Sequence, residues 1–228
     1  MRRLTVEQES TVTESEWATS TDPLAMLSFL RDLGLVSERK LRLFAVACCR
    51  RIRFDEARNG IKAVDAAELF ADGRITPHRL HEAWIAVRHP KWFATGSGGR
   101  AVRAACSPPG TDPCAHVAAD AVEAAVGKFD PRELPVLREK ERCVQAALVR
   151  DIFGNPSRPI SFPPEWRTEA VVALARGIYE ERAFDRMPAL ADALEDAGCS
   201  DEVVLSHCRR GGTHVRGCWL VDEVLQRV

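Results

Sequence analysis

The sequence has no long apolar run. Its longest, LFAVACC at Leu43–Cys49, is far shorter than the ~20 residues that a membrane-spanning helix requires. It has no excess of charge either. A formal net charge of -1 gives no global field to attract nucleic acid or an anionic membrane, so any such binding needs a local basic patch. No C-x-x-C pair occurs, and that pair is the usual anchor of a structural zinc site. No apolar segment follows the arginines of MRRLTVEQESTVTESEW, which excludes a secretory signal and makes a cytoplasmic protein the expectation. No stretch alternates convincingly as a strand, RPISF being the one weak candidate, and no repeat of constant period is present. GSGG at 96–99 lacks both a preceding strand and a following Lys-Ser/Thr, so it is not a phosphate loop.

What is present describes a helical protein. Hydrophobic residues make up 46% and charged residues 29%, enough to build a core and to solvate its surface. The cysteines Cys48, Cys49, Cys106, Cys114, Cys143, Cys199, Cys208 and Cys218 read as reduced, buried thiols rather than a disulfide framework. Thr13 and Glu16 have capping-box spacing. Asp22 caps and Pro23 opens a helix that stops at Gly34. Ser37 opens the next helix, in which Leu41, Phe44, Ala45, Cys48 and Ile52 trace one face. Its centre is apolar all round, which predicts a central, buried helix. A third helix ends at Gly73, and a fourth is opened by Thr76 and Pro77. Glycine, serine and proline are dense from 94 to 113, which reads as a loop. Two helices follow, the second over Leu134 to Phe153. GNPSRPISFPP, 154–164, is too rich in proline for a regular element and reads as an extended connector that wraps over the domain and packs Phe153, Phe162 and Trp166. Beyond it come closely spaced helices, one past Pro188 and ended by Gly198, one capped by Ser200 and one over HVRGCWLVDEVLQRV.

The expectation is therefore all-α, about eight helices in two packed halves joined by the Pro-rich connector. Residues 1–20 form a flexible polar tail, 21–153 the first half with its loop near 94–113, 154–164 the connector, and 165–228 a short-helix C-terminal bundle.

Three groups of residues carry a family likeness: TESEW with TDPLAMLSFL and SERKLRLFAVACCRRI, then ALVRDIFGNPSRPISF, then ALEDAGCSDEVVLSHCR with HVRGCWLVDEVL. Through them the chain resembles an uncharacterised, many-membered bacterial all-helical family. That resemblance implies a genuine helical domain and no activity, so no catalytic residue is carried over from it.

HCRRGGTHVRGCW, His207–Trp219, is the stretch that invites chemistry. On a last helix His214 and Cys218, four apart, would share a face. Gly211 and Gly212 would let that face approach His207 and Cys208 at the end of the preceding helix. His207, Cys208, His214 and Cys218 are thus the candidate zinc ligands, with Cys199 a further alternative about 12 Å away along the helix. The competing reading makes the thiols core residues and the histidines helix-end residues.

Other chemistry has less support. Arg39, Lys40, Arg42, Arg50, Arg51 and Arg53 flank an apolar helix, and Arg209, Arg210 and Arg216 adjoin the glycine turn, which loosely mimics helix-turn-helix. Arginine stems covering a core with their heads in water, paired with the nearby acids, account for them without nucleic acid. No acid pair or Cys-His pair is singled out by spacing, and buried helical thiols are generally inert. The sequence reading is a non-catalytic interaction or scaffold module with an unidentified protein partner and no membrane. The alternative is a zinc-stabilised regulatory module using the 199–218 hairpin, one version of which acts on nucleic acid, and the third reading is an enzyme of unknown class.

Overall fold

The computed structural model describes residues 13–52, 58–87, 97–126 and 131–227. Expectations that concern residues 1–12, Arg53 and 94–96 lie outside that set. Among the described residues all regular structure is helical. In chain order the helices are α1 Glu14–Thr19, α2 Pro23–Asp32, α3 Glu38–Arg50, α4 Arg58–Ala71, α5 Pro77–Ala86, α6 Ser97–Ala105, α7 Cys114–Val126, α8 Leu134–Phe153, α9 Glu169–Glu181, α10 Met187–Asp196, α11 Glu202–Arg209 and α12 Trp219–Val224. No helix among them is long and apolar enough to cross a membrane.

Several helix ends follow directly from their capping residues. Thr13 and Glu16 form the reciprocal capping box, and Asp22, Ser37 and Thr76 each accept backbone N–H bonds at their helix starts. Gly34, Gly73 and Gly198 take positive φ just past α2, α4 and α10, where a side chain would be strained. The start of α11 differs from expectation. Asp201, not Ser200, is the cap, and one of its carboxylate oxygens accepts from both Val203 and Val204.

The apolar centre of α3 places it at the middle of the fold. Leu41 through Cys49 are all buried, and α4, α6, α7 and α8 pack around this helix. Arg42 departs from the surface role expected of the basic residues here. Its guanidinium is fully buried, donating to the carbonyls of Ala105 and Ser107 and to Glu38. Those bonds offset the desolvation that would otherwise exclude a charge. The region read as a loop holds α6. Gly98 inside it serves close packing: a Cβ there would lie 3.3 Å from Ile52 and 3.5 Å from Ala124 of α7.

Buried apolar side chains fall into two clusters. One runs from Trp17 to Ile152, the other from Phe162 to Val224. Residues 154–163 contain no helix or strand, and a single 3-10 turn follows at Pro164–Trp166. Phe162 is buried, and Ile160 and Trp166 pack on the second cluster, whereas Phe153 packs on the first. All eight cysteines are free thiols, and Cys143 differs from the others in being exposed.

Ion pairs tie early helices to late ones. Arg39 of α3 makes a two-pronged bond to Asp222 of α12, with N–O distances of 2.6 and 2.9 Å. Lys40 donates to the Ile152 carbonyl. Four other candidate basic residues are paired as well: Arg51 with Glu141, Arg50 with Asp65 and Glu68, Arg209 with Glu195 and Asp192, and Arg216 with Glu68. The helix-turn-helix likeness does not extend to geometry. Residues 210–218 separate α11 from α12, far more than the 3–4-residue turn of that motif.

Candidate metal centre

The segment between α11 and α12 is not helical, which changes how its side chains meet. The expected helix over HVRGCWLVDEVLQRV begins only at Trp219. Two features stop it from extending upstream. Val215 donates its N–H to Asp151 instead of to a helical carbonyl. Gly217 adopts φ +91, where a Cβ would lie 2.9 Å from Leu43 Cδ1. The chain must pass close over α3 there, and only glycine permits it. His214 and Cys218 therefore converge from an extended segment and a turn, not from one helical face.

Four donor side chains meet at this point. Asp151 of α8, His207 of α11, and His214 and Cys218 of the connecting segment each offer a ligand atom, all within 4.8 Å of one another. His207 Nε2 lies 3.2 Å from Cys218 Sγ and 3.5 Å from Asp151 Oδ1. His214 Nδ1 lies 2.7 Å from the same Asp151 oxygen. The two imidazole rings stand edge to face with centroids 4.9 Å apart.

Three of the four residues expected from sequence are brought together. Cys208 is not with them. It lies within the second apolar cluster, where burial pushes its thiol up to about 12. Cys199 packs in that cluster too. Asp151 takes the fourth place, and spacing within 207–218 could not have found it. Its signal lay elsewhere: an acid three residues after Leu148, inside the apolar stripe of α8. A buried carboxylate needs a partner, and this one has three, the His214 ring, the Val215 N–H and the edge of His207.

Hydrogen bonding fixes where the protons sit. The Asp151 carboxylate accepts, so His214 donates from Nδ1, which leaves Nε2 as its other ring nitrogen. That nitrogen is buried and has no partner among the described residues. The Trp219 indole can only donate, and it lies 3.3 Å from His207 Nδ1. In the neutral ring His207 therefore carries its proton on Nε2, facing Cys218 and Asp151. Burial holds His207 neutral, lowering it to about 4 against the opposing pull of Asp151. Burial also pushes the Cys218 thiol well above its ordinary value, helped by the charge of Asp151.

This arrangement does not suit a nucleophilic thiol. Cys218 is fully buried, its thiolate is disfavoured, and the neighbouring nitrogen already holds a proton and cannot accept another. A metal ion alters each of those terms. A tetrahedral zinc-class ion with bonds of about 2.0–2.3 Å sets its ligands roughly 3.3–3.8 Å apart. The His207–Cys218 and His207–Asp151 separations are close to that. The His214–Asp151 hydrogen bond is shorter and would have to open.

The cluster also forms one wall of a pocket of about 450 Å³, bounded by Trp17, Arg150, Arg210 and Trp219. Comparison with known proteins supplies no relative: no family model, no curated protein and no solved structure matches the chain.

Proposed function

We propose that the protein is a non-catalytic, metal-stabilised interaction module, in which Asp151, His207, His214 and Cys218 hold a zinc-class ion. The carrying observation is the convergence of four donors of zinc-binding type within 4.8 Å, from three separate stretches of chain. Thiolate, imidazole and carboxylate donors together favour zinc over calcium or magnesium, which take oxygen ligands. The ion would displace the Cys218 proton and anchor the 210–218 segment to α8, so that its binding energy becomes folding energy.

Besides opening the His214–Asp151 hydrogen bond, the ion would impose a second local rearrangement. A neutral His207 bound through Nε2 carries its proton on Nδ1, facing the indole N–H of Trp219. Two donors repel, so Trp219 shifts when the ion enters.

The experiment is metal analysis of protein purified without added metal, followed by replacement with cobalt(II). Near-stoichiometric zinc and a cobalt-thiolate charge-transfer band that disappears in Cys218→Ser are expected. Trp219 emission should change as chelated protein is reloaded. Metal-free protein that takes up no cobalt, with thermal stability unchanged by chelators, overturns the proposal.

A further inference from the structure

A second cavity, of about 210 Å³, lies between α3 and the Thr213–Arg216 segment. It shares His214 with the donor cluster, but its charged groups are arginines and acids. Three guanidinium groups converge on a single carboxylate oxygen. Glu68 Oε2 accepts from Arg50 at 3.0 Å, from Arg216 at 2.9 Å, and from Arg182. Asp65 is the other acid nearby, 2.9 Å from Arg50 and 4.0 Å from Arg182. Three cations thus face two carboxylates.

The arginines differ in what they have left to offer. Arg216 is buried and committed, its remaining nitrogens donating to the Tyr179 and Glu180 carbonyls. Arg50 and Arg182 each use only Nη2. Among the described residues Nε and Nη1 of both have no hydrogen-bond partner. Their side chains are 32% and 44% exposed, so they stand at the opening of the cavity. Arg182 is held there from a left-handed backbone position, φ 54, at the end of α9. Behind them the wall is apolar, with Val46 and Phe184 among its residues.

We infer that this cavity binds a small monocarboxylate with an apolar body. The carboxylate would take the free donors of Arg50 and Arg182 and neutralise the surplus positive charge. Planar guanidinium matches carboxylate in two-pronged geometry. The body would lie against the apolar wall. The size of the cavity sets the class, because it is smaller than the ~300–1,000 Å³ of a typical drug-sized site. A ring or short branched chain fits, while a nucleotide or a long acyl chain does not.

The test uses the full-length protein and the isosteric pair phenylacetate and phenylacetamide, in titration calorimetry and ligand-observed NMR. Phenylacetate is expected to bind at least about tenfold more tightly than the amide, and more tightly than acetate or inorganic phosphate, which lack the apolar body. Arg182→Gln should weaken phenylacetate by a similar factor. The acid-amide comparison needs no variant, so it stands even if Arg182→Gln folds poorly. Equal binding of acid and amide, phosphate binding as tightly as phenylacetate, or no binding of phenylacetate up to about 10 mM overturns the inference.

Discussion

His214 and Asp151, 63 residues apart in the chain, are joined by a 2.7 Å hydrogen bond from Nδ1 to Oδ1, while the other Asp151 oxygen accepts the N–H of Val215. One carboxylate therefore orients an imidazole and fixes the backbone beside it. Asp151→Ala should destabilise even chelated protein, by about 2–4 kcal/mol, because two buried donors lose their acceptor. It should also abolish stoichiometric metal. Cys208→Ala should keep the metal and show only the cost of a small cavity. Denaturant titration with metal analysis of both variants checks this, and metal loss in Cys208→Ala would return that thiol to the ligand set.

His207 makes stability depend on pH. Its folded-state value lies near 4, below the ordinary histidine value of 6.5, because burial disfavours the charged ring. Between these values the unfolded chain binds the extra proton, so stability rises with pH across that window. The contribution is fully present above the unfolded value and lost as pH falls toward 4. The size is on the order of 3 kcal/mol. Urea titrations of chelated protein and of His207→Gln, compared pH by pH, should show the wild-type advantage shrinking on acidification. Parallel curves for the two proteins would contradict it.

Gly217 and Gly211 should respond differently to alanine. At Gly217 the new Cβ meets Leu43 at 2.9 Å with φ +91, whereas at Gly211 nothing lies within 4 Å. Gly217→Ala should cost about 2–4 kcal/mol from backbone strain and the clash. Gly211→Ala should change stability by less than about 0.5 kcal/mol. Thermal unfolding of the two variants separates these outcomes.

Arg39 and Asp222 form a nearly buried pair, their side chains 13% and 2% exposed. Arg39→Met alone should cost about 3–5 kcal/mol, because it strands a buried carboxylate. Adding Asp222→Asn should cost less than the sum of the single changes, by at least about 1 kcal/mol. Simple additivity in a double-mutant cycle would show that the contact contributes little.

Local signals carried the helical reading well. The caps at Thr13, Asp22, Ser37 and Thr76 and the stops at Gly34, Gly73 and Gly198 lie where side-chain acceptors and left-handed glycines predict them. What failed depended on distant partners. Gly98 read as a loop residue because its use, close approach to Ile52 and Ala124, is invisible along the chain. The Gly211-Gly212 pair drew attention as a turn, yet the constrained glycine is Gly217, and Leu43 makes it so. At the donor cluster, His207, His214 and Cys218 were legible from type and proximity. Asp151 was not, since α8 reaches the cluster only through tertiary packing. Cys208 was misleading because its neighbour His207 points the other way, toward Trp219 and Cys218.

Glu68 has a consequence for synthesis. Two of its three guanidinium partners, Arg182 and Arg216, come 114 and 148 positions later in the chain. On the ribosome α4 emerges long before the groups that neutralise its buried carboxylate, and Arg39 likewise precedes Asp222 by 183 positions. The early helices can collapse onto α3, but the charged seam they leave is expected to stay hydrated until Arg216 and Asp222 have emerged. Ribosome-bound chains arrested before residue 216 should therefore stay protease-sensitive along α3 and α4, and emergence of α12 should close that window in one late step.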